Sequence, residues 1–188
     1  VASPGAPTRR VVRGATADIE ILTDRLGVPH VRARTIADAY FGDGYVAARD
    51  HLWQLDCDHR QGLGRLAEVW GPPLVECDTA NRLFLYRGDV GAELAALDPR
   101  VRGCAEAYVA GVNAFIGETE NRPDLLPVVF SALGYRPLYW KIEDLIRLRA
   151  EATGNTRAEI RRARLAARGA LERDALIQPL QPAWRLRV

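Results

Sequence analysis

From Thr35 onward the chain carries Phe41, Tyr45, Ala48, Leu52, Leu55, His59, Leu63 and Leu66 at steps of three and four. That is the period of one face of an α-helix, sustained through several turns. The stripe predicts one long amphipathic helix, and a helix of that length has to lay its apolar face against something large. Thr35-Ile36-Ala37-Asp38 has the form of a capping box: Thr35 accepts from backbone N–H groups and Asp38 suits the positive helix end. Gly42, Gly44, Gly62 and Gly64 each lower helix propensity by about 1 kcal/mol relative to alanine. They predict close backbone contact with a neighbour, or a bend or break near Gly62. Gly71-Pro72-Pro73 ends the segment.

Around this helix the pattern is mostly helical. Residues 1–17, rich in Pro, Gly, Ala and Thr, read as an irregular arm. Ile19 and Ile21, the turn at Asp24-Arg25-Leu26-Gly27, and Val28 to Val31 predict a β-hairpin. Pro29 has no N–H, which puts the returning strand at an edge. A lone hairpin is marginal in water, so this one is expected to join a sheet that another polypeptide supplies. A short helix is expected over 78–87. A clearer one starts at Asp98-Pro99, with Val101, Cys104, Tyr108, Val112 and Phe115 on one face, and stops at Asn121-Arg122-Pro123. Residues 124–140 read as a packed apolar loop, and helices follow over 142–152 and 158–170. The stretch 171–188 is a tail with two prolines near its end and no period, which ends like a cut chain. The fold class is α+β: a mostly helical chain with a short N-terminal β-hairpin.

Composition excludes more than it selects. The chain has 188 residues, enough for a real core, and a net charge of +2 that argues for neither nucleic acid nor a membrane surface. All but Lys141 of the 26 basic residues are arginines, spread along the chain among acids. No apolar run approaches the roughly 20 residues of a membrane helix. There is no methionine, so Val1 is a processed or engineered end. Signal-peptide cleavage would make the protein periplasmic or secreted, the preferred setting; initiator removal in the cytoplasm is the alternative. Cys57, Cys77 and Cys104 lack metal-ligand spacing and read as small buried hydrophobes, with a Cys57–Cys77 disulfide as an option on export.

Direct catalytic candidates are few. His51, Asp58 and His59 could share one side of the long helix, but a zinc site needs further ligands. A core His59 and a surface His51 is the simpler reading. His30 reads as a hydrogen-bonded structural histidine, and Glu143-Asp144 as acids at a helix start. No Ser-His-Asp or Cys-His grouping is present.

Four segments nevertheless occur in one order: GVPHVRA, AYFGDGYVAARDHLWQLD, GRLAEVWG and ALGYRPLYWKIEDLI. Together, over residues 18–170, they resemble the α subunit of the penicillin acylase family of N-terminal-nucleophile hydrolases. The resemblance implies a precursor that cuts itself into an α chain and a longer β chain. The two chains together complete a four-layer αββα sandwich, and no catalytic residue lies in this chain. The β-chain N-terminal hydroxyl is the expected nucleophile and its own α-amine the base. The implied activity is hydrolysis of an N-acyl amide, on a β-lactam, an acyl amino acid or another acylated metabolite, with no organic cofactor.

Two sets of residues are carried over to this chain. Arg157-Ala158-Glu159-Ile160 resembles the family's calcium segment, making Glu159 the candidate ligand of a structural calcium shared with the β chain. Glu159 paired with Arg162 on an exposed helix is the plainer alternative. Counting back from Glu159, the family's acyl-pocket helix end falls at Arg149 to Thr153, and its Arg-Phe pair reads Ala152-Thr153 here. Loss of the phenylalanine leaves room for another acyl group. Arg149 either turns inward to favour an acidic one or lies in solvent. His51 stands where the family usually has arginine and reads as a lost surface or interchain contact. Two competing readings stay open: a non-catalytic helical interaction module or acylase-like binding protein, and a metal hydrolase using His51 and His59.

Overall fold

A computed structural model describes residues 6–148, 156–170 and 172, and in residues 156–159 the backbone alone. It divides into a unit of residues 1–150 and a unit of residues 151–188, described here separately.

The first unit opens with a three-stranded antiparallel sheet in the order β1 (Thr8–Arg13), β2 (Asp18–Thr23), β3 (Pro29–Arg32). The hairpin expected around Asp24–Gly27 is present as β2 and β3, and β3 with its proline is an edge strand. The arm expected to be irregular over residues 1–17 instead supplies β1, in register from Thr8 opposite Thr23 to Arg13 opposite Asp18. Its own alternation is weak because Arg10 stands on the inner face beside Ile21, where an apolar residue would mark a strand. Arg10 is accepted there because its guanidinium pairs with Glu118. The sheet therefore draws its third strand from its own chain.

The stripe folds as α1 (Ile36–Leu63), capped by the Thr35 Oγ1 accepting from Asp38 N–H. Its backbone departs from helical geometry at His51 (φ −136°, ψ 27°). Before that point the buried side chains are apolar apart from Asp38: Phe41, Tyr45, Val46 and Ala48. Beyond it Leu52 is buried, and then the buried residues are polar, Asp56, His59 and Arg60, while Leu55 and Leu63 are only half-buried. The helix stops at Gly64, whose φ of 65° is left-handed and whose N–H caps the Arg60 and Gln61 carbonyls. A side chain there would be strained by the backbone angle and would meet Asp78 O.

The rest of the unit follows as α2 (Ala67–Trp70), α3 (Val75–Phe84), α4 (Val90–Ala96), α5 (Pro99–Asn121), α6 (Val128–Leu133) and α7 (Ile142–Arg147). α4 and α6 are short helices where no helix was expected. α5 begins at Pro99 behind the Asp98 cap, as expected, but buries Ala107, Val109, Val112, Phe115 and Ile116 and leaves Val101 exposed. α1 and α5 make the most extensive contact in the unit. Gly44 lies against the Tyr108 carbonyl, and Gly111 against that of Phe41. The main core joins Ile19 and Ile21 of the sheet to Phe41, Tyr45 and Leu52 of α1, Val112 and Phe115 of α5, and Phe130 of α6. A smaller one joins Val90 and Leu94 of α4 to Ile146 of α7. The cysteines are free thiols and none is buried; Cys77 is exposed.

In the second unit the described helix is α8 (Thr156–Ala167). The remainder of the tail, residues 171 and 173–188, lies outside the described residues.

Candidate functional site

The segments that carry the family resemblance meet in space. Asp56 and Arg60, one turn apart on α1, are both buried and joined by Arg60 Nε donating to Asp56 Oδ2 at 2.8 Å. Each then reaches across to residues 136–138. Arg60 Nη2 donates to the Arg136 carbonyl at 3.0 Å, and Leu138 N–H donates to Asp56 Oδ1 at 2.8 Å. The Arg60 guanidinium lies 5.1 Å from the centre of the Tyr135 ring, a cation–π distance. Burial pushes the Tyr135 hydroxyl up to about 12, so it stays a neutral phenol.

The Gly64–Gly71 segment closes the other side. Glu68 pairs with Arg65 at 2.7 Å and reaches Arg60 Nη1 at 3.2 Å. Asp78 on α3 accepts from Leu66 N–H and Ala67 N–H at 2.9 and 2.7 Å, serving as the missing cap of α2. Arg82 Nε donates to the Gly64 carbonyl. A charged pair in a core is tolerated only with its remaining polar atoms satisfied, and this junction provides those partners.

Next along α1, His59 is 1% exposed. Its Nε2 lies 3.0 Å from Asp144 Oδ2, and its ring lies over Trp140 with centroids 4.5 Å apart. Asp144 also accepts from Lys141 N–H at 3.0 Å, which caps α7. Burial would raise the Asp144 carboxyl, but the His59 and Lys141 bonds outweigh it and hold it below its ordinary value. Trp53 Nε1, His59 Nδ1 and the Tyr135 hydroxyl are buried without a hydrogen-bond partner among the described residues.

Toward the amino terminus, Asp38 ties the β1–β2 turn to the start of α1. It accepts from Thr16 N–H at 2.7 Å, the Thr16 hydroxyl at 2.6 Å and the Thr35 hydroxyl at 2.7 Å. The Thr16 bonds hold its carboxyl far below the ordinary range. Glu118 on α5 accepts from the Tyr45 hydroxyl at 2.6 Å and pairs with Arg10 of β1.

Arg149, Ala152 and Thr153 are outside the described residues, and α7 ends two residues before Arg149. The backbone of Glu159 is in α8, and its side chain is outside the description. Among the described residues no group of three His, Cys, Asp or Glu could hold a metal ion. His51 is exposed at the break in α1 while His59 faces the core, as the simpler reading of the two histidines had it. His30 Nε2 lies 3.3 Å from Asp24 Oδ2, a local turn contact. The buried junction of Asp56, Arg60 and Asp144 was not expected. Its only sequence signal was the i,i+4 spacing of Asp56 and Arg60, which reads equally well as a surface pair. No helix among the described residues is long and apolar enough to cross a membrane.

Comparison with known proteins bears on the whole arrangement. Over 132 residues, 70% of its length, the chain is 33% identical to penicillin G acylase of Escherichia coli, covering 16% of that protein. Over 133 residues, 71% of its length, it is 35% identical to the acyl-homoserine lactone acylase QuiP of Pseudomonas aeruginosa, covering 15% of it. It thus spans about a sixth of these relatives. Its fold matches a chain of the thermostable penicillin G acylase from Alcaligenes faecalis with a TM-score of 0.63 at 24% identity, over 98% of this chain and 97% of that one. The family model described as penicillin amidase matches residues 18–183. This chain belongs to the penicillin amidase family.

Proposed function

We propose that this chain is the α subunit of a two-chain acylase that hydrolyses the amide bond of an N-acyl compound. One observation carries the reading. The chain is matched along 97% of a solved acylase chain yet covers only 16% of a curated relative, which supports a unit of this size being a separate polypeptide cut from a longer precursor. The described residues fit that role: buried Asp56, Arg60, Asp38 and Asp144 are engaged in holding helices and loops together, and in this reading the catalytic groups belong to the β chain.

In the proposed reaction the hydroxyl at the β-chain amino terminus attacks the amide carbonyl while its own α-amine takes the proton. Backbone and Asn donors stabilise the oxyanion, the amine leaves with the proton, and water releases the acid from the acyl-enzyme. An α-amine has an ordinary pKa near 8, so an appreciable fraction is unprotonated around neutral pH. Arg149, Ala152 and Thr153 line the acyl pocket in this proposal. The small Ala152 and Thr153 admit an acyl group other than phenylacetyl, and Arg149 favours an acidic one. The amine side is a β-lactam, an amino acid or another acylated metabolite. The setting that goes with it is periplasmic or secreted.

A structural calcium belongs to the same proposal. Glu159 provides one carboxylate, on a helix where Arg157, Arg161, Arg162 and Arg164 are its neighbours in sequence. Calcium takes six to eight oxygens, so most of the shell has to come from the β chain.

The test is to purify the native complex, sequence the first residues of the partner and assay bound metal. A partner beginning with Ser, Thr or Cys, with calcium present, is the expected result. A partner with any other first residue would overturn the acylase reading and leave a binding module.

A further inference from the structure

Helix α3 is built inside out. Asp78 is its one buried residue, accepting from the Leu66 and Ala67 N–H groups. One turn on, Arg82 lays its stem against Gly64 and donates to the Gly64 carbonyl at 2.8 Å. The row that faces the body of the unit is therefore charged. The rows on the other side, Val75-Thr79-Leu83 and Glu76-Ala80-Phe84, are exposed throughout. Val75 is 54%, Leu83 69% and Phe84 53% accessible, and Glu76 is the single charge among the six.

Helix propensity does not explain the outward residues. Val, Thr and Phe rank below Glu, Lys and Arg, which the exposed side of a surface helix ordinarily carries. Nor does the core explain them, since none of the three apolar side chains is buried in it. A ten-residue helix is marginal in water, and here Asp78 and Arg82 fix it to the Gly64–Gly71 segment. Polar ties of this kind set the helix in place and leave its apolar side to face another surface.

We propose that the outer side of α3 is a docking surface for the β chain, which lays an apolar patch over Val75, Leu83 and Phe84 and brings a hydrogen-bond donor to Glu76. This rests on the two-chain acylase reading. Size selects the occupant: the chain covers 16% of a curated relative, so the β chain is the far larger body and can cover this patch as part of a wider contact. A second copy fits less well. A ten-residue helix is about 15 Å long and about 10 Å wide, which offers each copy a few hundred Å² against the roughly 800 Å² per partner of a stable interface. A lipid surface calls for basic residues beside the apolar face, and the one basic residue of α3, Arg82, is turned to Gly64.

The test places a photoreactive residue, Leu83→benzoylphenylalanine, in the native two-chain protein and maps its cross-links by mass spectrometry. A cross-link to the β chain is the expected result. Cross-links only to a second copy, to other segments of this chain or to added anionic lipid vesicles, or no cross-link at all, would overturn the docking surface. The dissociation constant of the two chains is the second readout. Leu83→Asp and Phe84→Asp are each expected to raise it about thirtyfold, the loss at an interface hot spot, with Leu83→Met within about threefold of the wild type. An unchanged constant in both Asp variants, or an equal loss in Leu83→Met, would count against the surface as decisively. Should an Asp variant fail to assemble, the cross-link decides. A native preparation without a second chain overturns the acylase reading, whereas a second chain that position 83 never touches overturns the docking surface alone.

Discussion

Arg60 is only 6% exposed at its side chain and spends its guanidinium on four groups: the Asp56 carboxylate, Glu68, the Arg136 carbonyl and the face of Tyr135. Methionine at this position would keep the apolar stem but leave Asp56 charged and buried beside the Leu138 N–H alone. Breaking a buried pair from one side typically costs about 3–5 kcal/mol. Arg60→Met is therefore expected to lower the unfolding free energy by that order, read as a fall in the urea midpoint at unchanged m. Arg60→Lys should fall between, since an ammonium cannot reproduce the fork. A midpoint unchanged in Arg60→Met would mean that the pair is effectively solvated. At this scale the sequence showed the residues but not their surroundings. The i,i+4 spacing of Asp56 and Arg60 is open to view, yet nothing local distinguishes a surface pair from a buried one.

Helices α1 and α5 come close because each presents a glycine to the other's backbone. Gly44 faces the Tyr108 carbonyl and Gly111 the Phe41 carbonyl. Alanine gains about 1 kcal/mol of helix propensity over glycine. Against that, a methyl group at either site would overlap a backbone oxygen that cannot rotate away, and overpacking commonly costs about 1–3 kcal/mol or more. Gly111→Ala and Gly44→Ala are thus expected to be net destabilising. Gly103→Ala, on the same α5 with open space around its Cβ position, is expected to be neutral or stabilising. Thermal midpoints of the three variants check this, and a rise at position 111 would refute the close approach. The glycines near the start of α1 announced such contact in the sequence, whereas β1 was concealed by the inward Arg10, whose partner Glu118 lies 108 residues away.

Across the first unit, three carboxylates act as ties: Asp38 between the β1–β2 turn and α1, Glu118 between β1, α1 and α5, and Asp144 between α1 and α7. All three are held below their ordinary values: Asp38 by its Thr16 bonds, Glu118 and Asp144 by bonds that outweigh burial. A depressed folded pKa means that the unfolded chain takes up protons first. The stabilisation is fully present above the ordinary carboxylate range of about 4, and is lost as pH falls through the folded values. Thermal midpoints measured from neutral pH downward should stay level until about pH 5 and fall steeply below about pH 4. A midpoint that holds level to about pH 2 would show that these ties carry no net stabilisation.

The sequence by itself determined what near neighbours in the chain decide. The period of α1, the caps at Thr35 and Asp98, and the turn before β3 all follow from side chains within a few positions of one another. It also carried the ordered segments that place the chain in its family. Only the tertiary structure decided which polar groups go inside. The partners that make Arg60, Asp56 and His59 tolerable in the core lie 76, 82 and 85 residues away along the chain. A buried charge depends on those distant donors and acceptors, and no local period records them.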